Sequence, residues 1–204
     1  MASIKDKLKA LWEDRRSWKI RLPLAILPPF TFAFTFLLFG PCEIFIQNMQ
    51  EMPFPFLTMV PALLLVGGAV FAALLLVLLL LRGKVFNLAV SLLFAGTLAG
   101  YLQGNFLNIG HGSLDGSAIY WQGFKFPMLQ NCLVWLLVFG AVLLLLYLSR
   151  KAWTRGIELA CAVLIGAQTV AFIALLAQTG PAQVFRVGQE KAYVSRDGIY
   201  EVAP

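Results

Sequence analysis

The chain has 204 residues, of which 60% are hydrophobic and 13% charged, with a formal net charge of +6. Its mean hydropathy is +0.80, whereas soluble domains average about 45–50% apolar and about 25% charged residues. This excludes disorder, collagen, coiled coil and a disulfide-rich secreted module, and it argues against a soluble globular enzyme.

Residues 1–20 read as a basic interfacial helix. Ile4, Leu8, Leu11 and Trp12 fall at helical spacing among lysines and arginines, the pattern of a helix lying on anionic lipid. The plain reading is retention at the membrane surface, and the sharper one is a specific binding helix. A cleaved signal is not expected, because the following apolar run is longer than a usual h-region and no A-x-A site follows it.

Five segments reach the length of about 20 mostly apolar residues that a membrane crossing needs. They are residues 22–46, 56–81, 85–102, 128–148 and 157–177. Their length and continuity fit helices rather than barrel strands. The third is the most diluted, by Asn87, Ser91 and Thr97. On it Gly96, Gly100 and Gly104 form two overlapping G-x-x-x-G steps, which are candidates for helix packing. The run from Leu74 to Leu81 reads as lipid-facing. Gln168 and Thr169, in the fifth segment, are expected to hydrogen-bond between helices, and Glu158 is expected to pair with Arg155 or reach water. No segment carries a charge near its centre, which argues against a proton relay or an ion-coupled transporter.

Lys and Arg positions orient the chain. Twelve of the 16 lie before the first segment, between the second and third, or between the fourth and fifth. These stretches are therefore cytoplasmic, the N-terminus is inside and the C-terminus outside. The charge excess orients the protein and implies anionic lipid as partner, not nucleic acid.

The first outer loop begins at Gly40-Pro41-Cys42-Glu43, where prolines end one helix and start the next. The second runs from Tyr101 through Gln103, Asn105, Asn108, His111 and Asp115 to Trp121. It is rich in Gly turns, and its aromatic residues suit the interface. His111 and Asp115 could form an acid–base pair, but no nucleophile is placed to join them. Glu43, Gln103, Asn105, Asn108, His111, Asp115 and Trp121 are candidates for contact with a lipid headgroup or another domain. No catalytic, cofactor-binding or metal-binding residue is assigned. The three cysteines are widely spaced and sit in or beside apolar runs, where Cys packs as a small hydrophobe; a Cys42–Cys132 bridge remains open. After the fifth segment Gln178-Thr179-Gly180-Pro181 is a helix stop. Alternation around Asp197-Gly198 suggests a short hairpin.

The Phe-rich stretch 30–39 running into Gly40-Pro41-Cys42-Glu43-Ile44-Phe45, the runs Gly104-Asn105-Phe106-Leu107-Asn108 and Leu114-Asp115-Gly116, Trp121, and the tail Tyr193-Val194-Ser195-Arg196-Asp197-Gly198 form a set. The chain, over nearly its whole length, resembles the membrane-embedded N-terminal part of bacterial membrane-bound sulfatase-like proteins. That group is related to lipoteichoic acid synthase and other phosphoglycerol transferases of the alkaline phosphatase superfamily. The resemblance implies a following extracytoplasmic catalytic domain with a Thr, Ser or Cys nucleophile and a divalent metal. None of those residues has a counterpart in this chain, so no cofactor is expected within it. The anchor would hold that active site close to a lipid-linked envelope substrate.

The expected fold is thus all-α and integral to the membrane: a five-helix transmembrane bundle, N-terminus in and C-terminus out, with a short β-like tail. Residues 1–21 form the interfacial helix, 22–178 the transmembrane domain, and 179–204 a linker toward a catalytic domain outside these 204 residues. Two other functions stay open. One is a complete small membrane enzyme acting on polyprenyl-phosphate lipids, with Glu43, Glu51, His111 and Asp115 in one outer site. The other is a non-enzymatic transporter or accessory protein.

Overall fold

The computed structural model describes residues 18–49, 52, 54–107, 125–185, 193–194 and 200–201. Of the interfacial helix expected over residues 1–21, residues 1–17 lie outside them, and Trp18–Arg21 continue into the first spanning helix rather than forming a separate one; the turn of the expected tail hairpin also lies outside them. The fold is helical: α1 (Trp18–Ala33), a π-helical stretch (Phe34–Phe39), α2 (Gly40–Gln47), α3 (Phe56–Leu80), α4 (Gly83–Phe106), α5 (Lys125–Leu148), α6 (Arg150–Thr179) and the single turn α7 (Pro181–Val184). Among the described residues, five helical segments are long and apolar enough to cross a membrane: Ile20–Gln47, Phe56–Leu80, Gly83–Phe106, Lys125–Leu148 and Arg150–Thr179. Tyr193–Val194 (β1) pairs antiparallel with Tyr200–Glu201 (β2). So short a pair is marginal by itself.

Polarity is arranged inside out. The fully or nearly buried side chains include Arg21, Thr31, Thr35, Asn87, Ser91, Thr97 and Gln168. Leu65, Leu136, Leu137, Leu159 and Val170 are each about two-thirds exposed or more. An apolar surface of this extent is untenable in water and is the normal exterior of a helix solvated by lipid. The same inversion explains why the third segment looked diluted: Asn87, Ser91 and Thr97 turn inward, and Thr97 returns its hydroxyl to the Leu93 carbonyl at 2.8 Å.

Chain contacts divide the protein into two units. The first comprises Met1–Phe32 and Leu74–Ala162. Its core joins Leu24, Leu78, Phe86, Val90, Phe94, Val142, Trp153, Ile157 and Cys161. Here α4 packs along α5, and an added Cβ on Gly96 would sit 3.9 Å from the Phe139 ring, an ordinary contact. Leu78, within the leucine run read as lipid-facing, is instead buried in this core. The second unit comprises Ala33–Ala73 and Val163–Pro204. Its core joins Phe45, Ile46, Phe56 and Val184. Phe45 lies 5.5 Å from both Phe54 and Phe56 between ring centroids, and Phe56 meets Phe185 edge-on at 6.0 Å.

Pro41 does not end the first helix. The helix continues from Gly40 to Gln47, with Pro41 in its opening turn. Proline offers no N–H to the carbonyl four residues back and clashes with it. The π turn just before it absorbs the misfit, as local π adjustments do in membrane helices: the Gly40 N–H reaches the Thr35 carbonyl, five residues back. The expected stop after the fifth segment is present. The Gly180 N–H bonds the Leu176 carbonyl at 3.0 Å, and its φ of 87° is a left-handed value that suits glycine.

Candidate functional site

The candidate contact residues are only partly within the described chain. Asn108, His111, Asp115 and Trp121 lie outside it. Gln103 and Asn105 sit on the last turn of α4, in the first unit. Glu43 sits half-buried on α2, in the second, where its carboxylate accepts a 3.5 Å bond from Gln47 one turn on. It is therefore a helical residue rather than a loop one.

The end of α4 is fastened to the first half of α5. The Trp135 indole N–H donates to Gln103 Oε1 at 2.5 Å, and Asn131 Nδ2 donates to the Leu107 carbonyl at 3.4 Å. Trp135 also stacks near-parallel on Phe139, with ring centroids 6.0 Å apart. Asn105 turns back on its own helix, donating to the Tyr101 carbonyl at 2.9 Å. Gln103 is thus a positioning residue for the fourth segment, and Asn105 caps its own helix end. Sequence reading missed Trp135 as the partner of Gln103 and Asn131 as the partner of the Leu107 carbonyl, because residues 32 and 24 positions away leave no local pattern. The chemistry at this end is amide and indole hydrogen bonding. It can orient a headgroup or a loop, and it holds no nucleophile or paired carboxylate among the described residues.

A second polar centre lies in the other unit. Thr35, in the π stretch, and Gln168, on α6, are both buried. The threonine hydroxyl lies 3.2 Å from Gln168 Oε1 and 3.1 Å from Nε2, so it can donate to the one and accept from the other. The interhelical bond expected of Gln168 is formed, whereas Thr169 returns to the Ile165 carbonyl of its own helix. Thr35→Val should cost about 1–2 kcal/mol, because it leaves a buried carboxamide without a partner. Thr35→Val with Gln168→Leu should return to within about 0.5 kcal/mol of wild type, since both ends are then apolar. Denaturant-driven unfolding of the double-mutant cycle in mixed micelles measures this. Additive losses in the double variant contradict it.

A third polar centre is Arg21, counted in the sequence only as an orienting charge. Its guanidinium donates to the Leu79 carbonyl at 2.8 Å and to the Leu81 and Leu78 carbonyls, at the end of α3 and just past it. It also lies 5.1 Å from the Phe86 ring centroid. These are the carbonyls that a helix C-terminus leaves without intrahelical donors.

All three cysteines are free thiols, so the Cys42–Cys132 bridge is not formed. Among the described residues, no group of three or more His, Cys, Asp or Glu could hold a metal ion. Against known proteins, the chain matches no family model, no curated protein and no solved structure.

Proposed function

We propose that this chain is the membrane anchor domain of a sulfatase-like hydrolase or phosphoglycerol-type transferase that works on the outer face of a bacterial cytoplasmic membrane. The observation that carries the reading is the five-span count combined with the grouping of twelve of 16 basic residues on alternate connections. An odd number of crossings sends the two ends to opposite sides. The positive-inside rule then places the N-terminus in the cytoplasm and the residues after Thr179 outside. The motifs Gly104-Asn105-Phe106-Leu107-Asn108 and Leu114-Asp115-Gly116 support the family analogy. The anchor's contribution would be to hold an active site, with its divalent metal, beside a lipid-linked substrate. Tethering of that kind raises effective concentration without any new contact.

Two measurements test this. Reporter fusions after Arg82, Lys125, Arg155 and Pro204 should read inside, outside, inside and outside. A cytoplasmic signal at Pro204 overturns the anchor reading. The full product of the natural gene, reconstituted in vesicles, should cleave a phosphodiester or sulfate ester only with a divalent cation present. No such cleavage removes the hydrolase or transferase assignment.

A further inference from the structure

A cleft of about 620 Å³ opens where the first and last spans begin. Ile20 and Pro23 line one wall, and Arg150, Lys151, Thr154, Arg155 and Glu158 the other. All of these residues belong to the first unit. On the helix side the spacing is four: 150, 154 and 158 form one row and 151 and 155 the next, so the polar groups share one face. Three cations and one carboxylate leave the cleft with two net positive charges. No ion pair ties up Arg150, Lys151, Arg155 or Glu158 among the described residues. The pairing expected between Glu158 and Arg155 is therefore not made. The Thr154 hydroxyl donates to the Arg150 carbonyl at 2.9 Å and so offers the cleft lone pairs rather than a proton.

The opposite wall is apolar: Ile20 is 47% exposed and Pro23 half-buried. A free phosphate ion would gain nothing from such a wall. A phospholipid would, because its phosphate would meet the cations while its glycerol and upper acyl carbons lay along Ile20 and Pro23. Helix-end clefts rich in Lys and Arg bind anionic headgroups by this division of labour. Two net positive charges match a headgroup carrying two phosphodiesters.

We propose that this cleft is a binding site for an anionic phospholipid headgroup with two phosphodiester charges, seated at the membrane surface between the start of α1 and the start of α6. Binding follows from the cleft alone; only its assignment to the cytoplasmic leaflet rests on the topology proposed above. Reversed reporter fusions would move the site to the other leaflet without abolishing it, whereas failed binding leaves the fusion pattern untouched.

The test is native mass spectrometry of the full chain in detergent, titrated with cardiolipin. One tightly held lipid is expected. Arg150→Gln with Arg155→Gln should weaken it about tenfold or more, as each near-surface cation contributes about a fivefold factor. Arg150→Lys with Arg155→Lys should retain most of the binding, because charge is kept. Arg82→Gln with Lys84→Gln removes the same charge away from the cleft and should leave affinity within about twofold. Both altered arginines are exposed, and an unchanged thermal midpoint would confirm that the variant folds. Three results would overturn the proposal: equal retention of phosphatidylcholine, equal weakening by the Arg82/Lys84 control, or displacement by millimolar inorganic phosphate. The last would mark a free-ion site.

Discussion

Trp153→Ala should lower unfolding stability by about 3–5 kcal/mol, the range for removing a large aromatic side chain from a packed core. Trp153 is fully buried and is the largest side chain of the first unit's core, beside Phe86, Val90 and Ile157. Its indole N–H donates to the Ser91 hydroxyl at 2.9 Å. The substitution therefore removes packing and leaves a buried hydroxyl to find another partner. Trp153→Phe separates the two contributions: the ring largely remains and the donor is lost, so about 1–2 kcal/mol is expected. Ser91→Ala should cost a similar amount, because it removes the hydroxyl that accepts the indole N–H. Reversible unfolding in mixed micelles measures all three. A Trp153→Ala loss below about 1 kcal/mol would mean that this cluster does not hold the unit together.

Arg21→Leu is the second large effect, at about 2–4 kcal/mol. Hydrogen bonds to a charged group contribute about 1.5–3 kcal/mol each, and a cation over an aromatic ring about 0.5–1 kcal/mol more. The relief of desolvating the guanidinium offsets part of that sum. Arg21 is 8% exposed, so the offset is sizeable and the net loss is smaller than three independent bonds would give. Arg21→Lys should lose roughly half as much, because an ammonium keeps the charge but not the reach of the terminal Nη2, which makes all three carbonyl contacts, nor the planar face that lies over Phe86. Thermal unfolding of the purified protein distinguishes the pair. If leucine and lysine variants lose equally, geometry rather than charge dominates; if leucine costs nothing, the guanidinium does not clamp the helix end.

These two residues mark the boundary of what could be read from the chain. The spans were legible because a run of about 20 apolar residues has few alternatives. The fifth span (α6), however, begins at Arg150 rather than near Ile157. Its first turns carry Arg150, Lys151, Thr154 and Arg155 on one side and Trp153 on the other, and hydropathy averaged along the chain cancels such an amphipathic start. A face count would have found it: Trp153, Ile157, Cys161, Leu164 and Gln168 recur at helical spacing and are all buried. Arg21 was legible as a charge but not as a clamp, since its acceptors lie 57 to 60 residues away. The leucine run carried no hint that its closing carbonyls needed donors. Of the candidate contacts, Gln103 was singled out for a headgroup or another domain, and its bond to Trp135 was not legible because it depends on how two spans pack.

The π stretch also sets the helical phase of Gly40–Gln47. An α-helix advances about 100° per residue, and a bond spanning five residues holds one more residue per turn than the α ladder does. A wheel continued from Ala33 at constant pitch therefore runs ahead of the real helix beyond Phe39. It assigns Phe45 and Ile46 to the wrong side of Gly40–Gln47. Within Gly40–Gln47 the loss of one residue would swing everything downstream by about that same angle and carry Phe45 and Ile46 away from Phe56. Within Phe34–Phe39 it could be absorbed by relaxing the wide turn to ordinary pitch. The stretch is the one place in this helix where the chain can change length and keep its bearings.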